Sequence, residues 1–151
     1  EKILEKATEL GVTALQPLVT QHTVMRQWNR ERALSQIIEA AEQTERNSLP
    51  ILHPVATLDD FLTLRQGRED ALLVGDERGT SPRIYDVLMG LPPYLSYTLM
   101  IGPEGGWAKE ELDKILRSPH CHGMTMGRRI LRADTAAIAG LSVCRALLGD
   151  W

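Results

Sequence analysis

Apolar residues along this chain recur with two alternating periods. Ile3, Leu4, Ala7 and Leu10 share one side of a helical wheel and Lys2, Glu5, Lys6 and Glu9 the other, which predicts an amphipathic helix over 2–10 closed by Gly11. Residues 13–19 read as a strand. A helix is predicted over 30–47, with Leu34, Ile37, Ile38 and Ala41 on its buried face and Asn47 and Pro50 ending it. Residues 51–55 are extended, 58–64 form a short helix, and the apolar run 71–75 reads as a buried strand. The turn Asp76-Glu77-Arg78-Gly79 follows, and Pro92-Pro93 marks a loop. A strand over 97–101, a helix over 108–117, a short strand over 123–126 and a last helix over 135–148 complete the pattern. Such alternation predicts an α/β domain on a mostly parallel sheet flanked by helices.

The last helix is apolar on most sides. Between 136 and 148 only Arg145 is charged; Ala137, Leu141, Cys144 and Leu148 form one stripe, and Gly140, Val143 and Leu147 another. A helix of this kind is buried on most sides. It is either the central core helix of a monomer or a helix held between the core and a second subunit.

Composition narrows the picture. A chain of 151 residues with 43% apolar and 25% charged residues fits one globular domain. No apolar run approaches the length of a membrane span, and no signal-peptide pattern is present. Two cysteines, Cys121 and Cys144, make no disulfide framework, so a reducing cytoplasm is expected. The net charge of −3 argues against a self-sufficient nucleic-acid binder. Yet thirteen of the seventeen cationic side chains are arginine, whose fork suits phosphates and base edges. Nucleic-acid contact would then be local, with another domain or subunit supplying the bulk attraction. The chain opens inside a helix and without methionine, which reads as a chain whose N-terminal part lies outside this sequence.

Two segments carry the candidate chemistry. In Ile101-Gly102-Pro103-Glu104-Gly105-Gly106-Trp107 a strand stops in a glycine turn against a helix start. In Gly127-Arg128-Arg129-Ile130-Leu131-Arg132-Ala133-Asp134-Thr135-Ala136-Ala137 a strand, a glycine and three arginines precede another helix start. Glycines admit a ligand close to the backbone, and helix N-termini offer unpaired N–H groups. Neither segment is a Rossmann fingerprint or a P-loop.

With these segments, Lys6-Ala7-Thr8-Glu9-Leu10-Gly11-Val12 and Ala40-Ala41-Glu42-Gln43 with Arg46 and Pro50 complete a pattern spanning nearly the whole chain. On it the chain resembles the RsmE family, uridine-N3 methyltransferases of small-subunit ribosomal RNA in the SPOUT superfamily. The first two blocks set that family apart from other SPOUT enzymes. The resemblance implies a C-terminal deep trefoil knot, S-adenosylmethionine bound in a bent form, and a homodimer with each site near the interface. It also implies ribosomal RNA as substrate, and a PUA-like RNA-binding barrel before residue 1, with residues 1–151 as the methyltransferase domain.

The resemblance also assigns residues. The backbone of Gly102, Gly105, Gly106, Met126, Gly127, Ile130 and Leu131, with Ile101, Pro103, Thr135 and Ala136, would form the cofactor pocket, and the strand end Val74-Gly75-Asp76 its third side. Arg132 would stabilise charge on the uracil oxygens. Glu104 is a candidate base, the alternative being a turn carboxylate bonded to backbone amides. Arg128 and Arg129 would meet phosphate or stand as solvated surface arginines. Glu42, Gln43 and Arg46 would meet RNA, although Glu42 and Arg46 also suit an i,i+4 ion pair. Family members often carry Ser or Thr where Ala108 stands and Glu where Asp134 stands; Asp134 is expected to cap the last helix. His120-Cys121-His122 has no second ligand pair at zinc spacing, so no metal is expected. His22 and His53 stand alone and read as structural. Two other readings remain: a SPOUT enzyme acting on transfer RNA or a ribose 2′-oxygen, and a non-catalytic RNA-binding module.

Overall fold

The central strand of the fold is the apolar run read above. In a computed structural model, which describes residues 2–24, 27–149 and 151, β5 (Ala71–Gly75) lies between β6 (Tyr97–Met100) and β7 (Cys121–Met124), all parallel. Residues 71–74 are fully buried because both faces of the strand are covered. Leu72 and Val74 face a cluster with Leu58, Met100, Trp107, Leu112 and Ile115, which brings in α3 (Leu58–Leu64) and α5 (Lys109–Leu116). Ala71 and Leu73 face Leu88, Met124 and Cys144, which brings in α4 (Ile84–Met89) and α6 (Ala133–Leu148). The alternation of side chains along one strand thus divides the core into two layers.

The N-terminal part is built on α1 (Lys2–Glu9) and α2 (Arg30–Gln43), with Ala33, Ile37 and Leu52 at its centre. The predicted strand 13–19 is two short ones, β1 (Ala14–Leu15) and β2 (Leu18–Val19). They pair in parallel with β3 (Ile51–Leu52) and β4 (Ala56–Thr57). Each break falls beside a proline, Pro17 or Pro54, which has no N–H for the ladder. The Gln16 side-chain amide spans the gap, donating to the Pro17 carbonyl at 3.0 Å and the Pro54 carbonyl at 2.7 Å.

Other boundaries also differ. Helix α2 stops at Gln43, because Thr44 is its C-cap and Glu45 turns to φ 55°. Strand β7 runs two residues earlier than the pattern predicts. Helix α6 starts at Ala133, with Arg132 in the N-cap position, so Asp134 lies in its first turn and is not the cap. Helix α4 was not predicted: it is six residues long and Arg83 makes no side-chain cap bond. The segment leaving β7 is bonded to both limbs of the 76–84 loop. Asp76 N–H donates to the Met124 carbonyl at 2.8 Å, Thr125 N–H to Pro82 at 2.8 Å, and Ile84 N–H to Thr125 at 2.9 Å. Among the described residues no helix is long and apolar enough to cross a membrane.

Candidate functional site

Three parallel strands end along one edge of the sheet. The register sets Val74 beside Met100 on one flank and Gly75 beside Met124 on the other, so the loops after β5, β6 and β7 emerge together. Open α/β sheets bind ligands at this edge. Gly75 has an apolar surround: a Cβ there would lie 3.4 Å from Met126 Cε and 3.7 Å from Ile101 Cδ1.

Trp107 ties two of the loops. Its indole Nε1 donates to the Gly75 carbonyl at 3.1 Å, and its backbone N–H donates to Glu77 Oε1 at 2.7 Å. The ring lies against Gly102, where a Cβ would come within 2.9 Å of Nε1. Gly106 has φ 75°, and the Glu77 carboxylate occupies the space a side chain there would need. Gly105 meets His22 instead, on a loop held by Thr20 and Thr23. Ala108 supplies no capping oxygen to α5, but Glu111 reaches back to the Ala108 N–H at 3.4 Å and takes the Gln21 N–H at 2.9 Å. Glu104 is exposed, with no hydrogen bond or ion pair among the described residues.

Asp76 shapes the loop after β5. It is 2% exposed and accepts from Ser81 Oγ at 2.7 Å, Thr80 Oγ1 at 2.8 Å, and the Ser81 and Arg78 backbone N–H groups at 3.1 and 3.0 Å. Burial pushes this carboxyl up, but the Ser81, Thr80 and Arg78 bonds and the Arg78 charge outweigh it and hold it below its usual range.

The third loop is open. Gly127 has φ 103°, and Arg128, Arg129 and Ile130 are exposed. No backbone N–H from Met126 to Leu131 is bonded to another described residue. Arg132 is exposed and also without a partner among the described residues. Thr135 N–H donates to Asp134 Oδ1 at 2.9 Å, and Ala136 N–H to the Arg132 carbonyl at 2.8 Å.

The predicted RNA-facing block is elsewhere. Glu42 and Gln43 are exposed at the end of α2, which packs on α1, and α1 packs on α6. Glu42 and Arg46 form no ion pair. Arg46 instead donates to the Thr8 carbonyl at 2.6 Å and the Val12 carbonyl at 3.0 Å, while Arg145 donates to the Leu10 carbonyl at 2.7 Å and to Gly11. Two guanidinium groups therefore satisfy the carbonyls at the end of α1. Burial and the Arg145 charge hold Arg46 below its usual range.

His120 and His122 converge on Tyr94, whose hydroxyl lies 3.3 Å from His120 Nδ1 and 3.1 Å from His122 Nε2. Among the described residues no three His, Cys, Asp or Glu side chains could hold a metal ion. Burial pushes the Cys121 and Cys144 thiols up to about 11, so neither is a nucleophile at neutral pH. Sequence reasoning gave Asp76 a place at the pocket's third side but passed over Trp107, Glu77 and His22. Two signals pointed to some of them: an indole directly after Gly-Gly, and an acidic pair directly after a buried strand.

Residues 1–145 match a family described as RNA methyltransferase domain. The chain is 37% identical over 152 residues to the Ribosomal RNA small subunit methyltransferase E of Synechocystis sp., covering 98% of this chain and 49% of that protein. To the protein of the same name from Rickettsia conorii it is 31% identical over 144 residues, 95% of this chain and 58% of that one. The crystal structure of a Ribosomal RNA small subunit methyltransferase E from Neisseria gonorrhoeae, bound to S-adenosyl methionine, superposes with a TM-score of 0.88 at 30% identity, over 99% of this chain and 61% of that chain. The chain thus spans about half to three-fifths of the length of these relatives.

Proposed function

Because the chain belongs to the RNA methyltransferase domain family, we propose that it transfers a methyl group from S-adenosylmethionine to N3 of a uridine in small-subunit ribosomal RNA. The observation that carries this reading is the shared edge: three strand ends, an apolar surround at Gly75, and a run of backbone N–H groups at 126–131 without acceptors among the described residues. Apolar walls suit an adenine ring, and free amides suit its edge and the polar tail. The cofactor would supply an electrophilic methyl on a sulfonium.

The residues divide by task. Ile101, Met126, Ile130 and Leu131 would cover the adenine, with the backbones of Val74, Gly75, Gly102, Pro103, Gly105, Gly106 and Gly127 around it and Thr135 and Ala136 at the start of α6. Transfer needs alignment more than covalent chemistry, with the reacting atoms about 3 Å apart. Arg132 would hold the uracil oxygens as N3 loses its proton, and Glu104 would face the incoming nucleotide across the site. Arg128 and Arg129 would meet phosphates. Glu42 and Gln43 would present a polar edge to RNA, held in place by the Arg46 bonds to α1.

The assembly follows the same reading. Residues 1–151 would be the methyltransferase domain, following a PUA-like barrel in a cytoplasmic protein. Ile138, Leu147 and Leu148 on α6 are each nearly two-fifths exposed, which supports a homodimer across this helix. The bonds that tie residues 124 and 125 to both limbs of the 76–84 loop support a trefoil knot there.

Calorimetry with S-adenosylmethionine, followed by mass mapping of methylated nucleosides in ribosomal RNA with and without the full-length protein, tests the reading. It fails if the cofactor does not bind. Absence of cofactor binding leaves an RNA-binding module, and binding without uridine-N3 methylation leaves a SPOUT enzyme acting on another RNA position.

A further inference from the structure

Methylation at a uracil N3 requires the N3 hydrogen to leave. The group that takes it must be held still with a lone pair free. Most acidic groups around the three loops are engaged. Asp76 is bonded to Arg78, Thr80 and Ser81; Glu77 holds the Trp107 N–H; Asp134 holds the Thr135 N–H; Glu111 is shared by Gln21 and Ala108. Glu104 is exposed, and no hydrogen bond or ion pair among the described residues orients it.

His22 is both held and free. A Cβ on Gly105 would lie 3.1 Å from His22 Cβ and 3.2 Å from the His22 carbonyl oxygen, so His22 rests on the glycine turn. The Gln21 N–H bond to Glu111 at 2.9 Å and the Thr20–Thr23 bonds fix the loop that carries it. His22 Nδ1 lies 3.1 Å from the Gly106 carbonyl oxygen. A carbonyl only accepts, so Nδ1 carries the hydrogen and the neutral ring presents its lone pair at Nε2. Nε2 has no partner among the described residues. A base oriented by a third group in this way is the arrangement that makes an imidazole an effective proton acceptor. Among the described residues, the charged side chains on the segments in contact with its loop include Glu104 on the turn, Glu77 against Gly106, and Glu111 on α5, which takes the Gln21 N–H. An imidazole is a stronger base than a carboxylate, which suits removal of the hydrogen from a weak N–H acid.

We propose that His22 is the proton acceptor of the methyl transfer. Nε2 takes the N3 hydrogen, N3 bonds to the methyl carbon, and the electron pair of the broken methyl–sulfur bond stays on sulfur. A neutral thioether and an imidazolium result, and the imidazolium returns its proton to water. This rests on the uridine-N3 reading above.

The test uses the full-length protein with small-subunit ribosomal RNA. His22→Asn keeps a donor near Gly106 but has no basic nitrogen. It should lower single-turnover methylation by about 10²–10⁴-fold. It should also abolish the acid limb of the pH–rate profile. Calorimetric affinity for S-adenosylmethionine should change less than about twofold, a bound set by the absence of a ring nitrogen from the cofactor's expected amide contacts. Nitrogen-15 NMR of the protein alone should show His22 as the Nδ1–H tautomer. An acid limb that survives His22→Asn, or one removed by Glu104→Gln, overturns the proposal; so does an Nε2–H tautomer. Failure of the parent protein to bind S-adenosylmethionine overturns the enzyme reading itself, and the proposal with it.

Discussion

The Trp107 indole donates its Nε1 hydrogen to the carbonyl of Gly75, 3.1 Å away, so the turn after β6 is fastened to the last residue of β5. The same residue's backbone N–H is taken by Glu77. One tryptophan therefore fixes the separation of two of the three loops that bound the candidate pocket. A ligand entering between them meets a spacing that is already set.

Trp107→Phe keeps most of the buried ring and removes the Nε1 bond. The loss should be about 1 kcal/mol of stability. Cofactor affinity should fall more than stability alone would imply, because the turn is no longer fastened. Urea unfolding and calorimetry on the same samples check this; equal affinity in parent and variant would mean that the indole bond does not set the pocket.

Gly105 and Gly106 should differ in kind. At Gly106 a side chain is strained by φ 75° and meets the Glu77 carboxylate, so Gly106→Val should displace Glu77 and abolish cofactor binding. Gly105 has no positive φ, and a side chain there meets His22, not an open pocket. Gly105→Ala should therefore shift the 20–24 loop and weaken turnover before it weakens cofactor binding. Calorimetry and rate measurements on the two variants separate the effects.

Acid should weaken the fold through Asp70 and Asp76. Asp70 bonds the buried Arg65 at 2.8 Å and Arg68 at 2.7 Å. Burial pushes it up, but these arginines prevail and hold it below the usual carboxylate range, as the hydroxyl bonds do for Asp76. A carboxyl depressed in the folded state contributes fully above its unfolded value of about 4 and loses that contribution as pH falls through its folded value. The contribution of these two carboxyls to unfolding free energy should thus be constant near neutrality and drop below roughly pH 4. Asp76→Asn should reduce the slope of that drop.

Arg132→Ala should lower methylation by about 10²–10³-fold with cofactor affinity little changed, the effect of removing one charge-stabilising donor. Arg132→Lys should not restore the rate fully, since an ammonium lacks the planar fork. If the alanine variant loses cofactor affinity and keeps its rate at saturating cofactor, Arg132 is a pocket residue.

Sedimentation should give a species near twice the chain mass of 16.9 kDa at micromolar concentration. A monomer that still binds the cofactor would make α6 an ordinary core helix.

Much of this was legible in the sequence. The run 71–75 announced a strand buried on both faces, and the glycine segments announced loops at strand ends. What escaped depended on partners distant in sequence. Arg46 reads as an i,i+4 partner of Glu42 because local spacing allows it, but carbonyls at 8 and 12 lie closer once α1 packs on α2. His22 reads as solitary because its partner carbonyl is 84 residues away. Helix α4 has few turns and no cap signal, and it exists because Ile84, Val87, Leu88 and Leu91 have a layer to fill. Periodicity within a window registers none of these.

The Arg145 bonds to Leu10 and Gly11 join points 135 and 134 residues apart. During synthesis, the end of α1 has to wait for nearly the whole chain to emerge before these carbonyls find their donor. Closure of so long a loop costs entropy before it yields any contact, and parallel strand pairing adds to the delay. Helix α1 should therefore be among the last elements of this fold to become protected from solvent, even though it is made before the fold's other helices and strands.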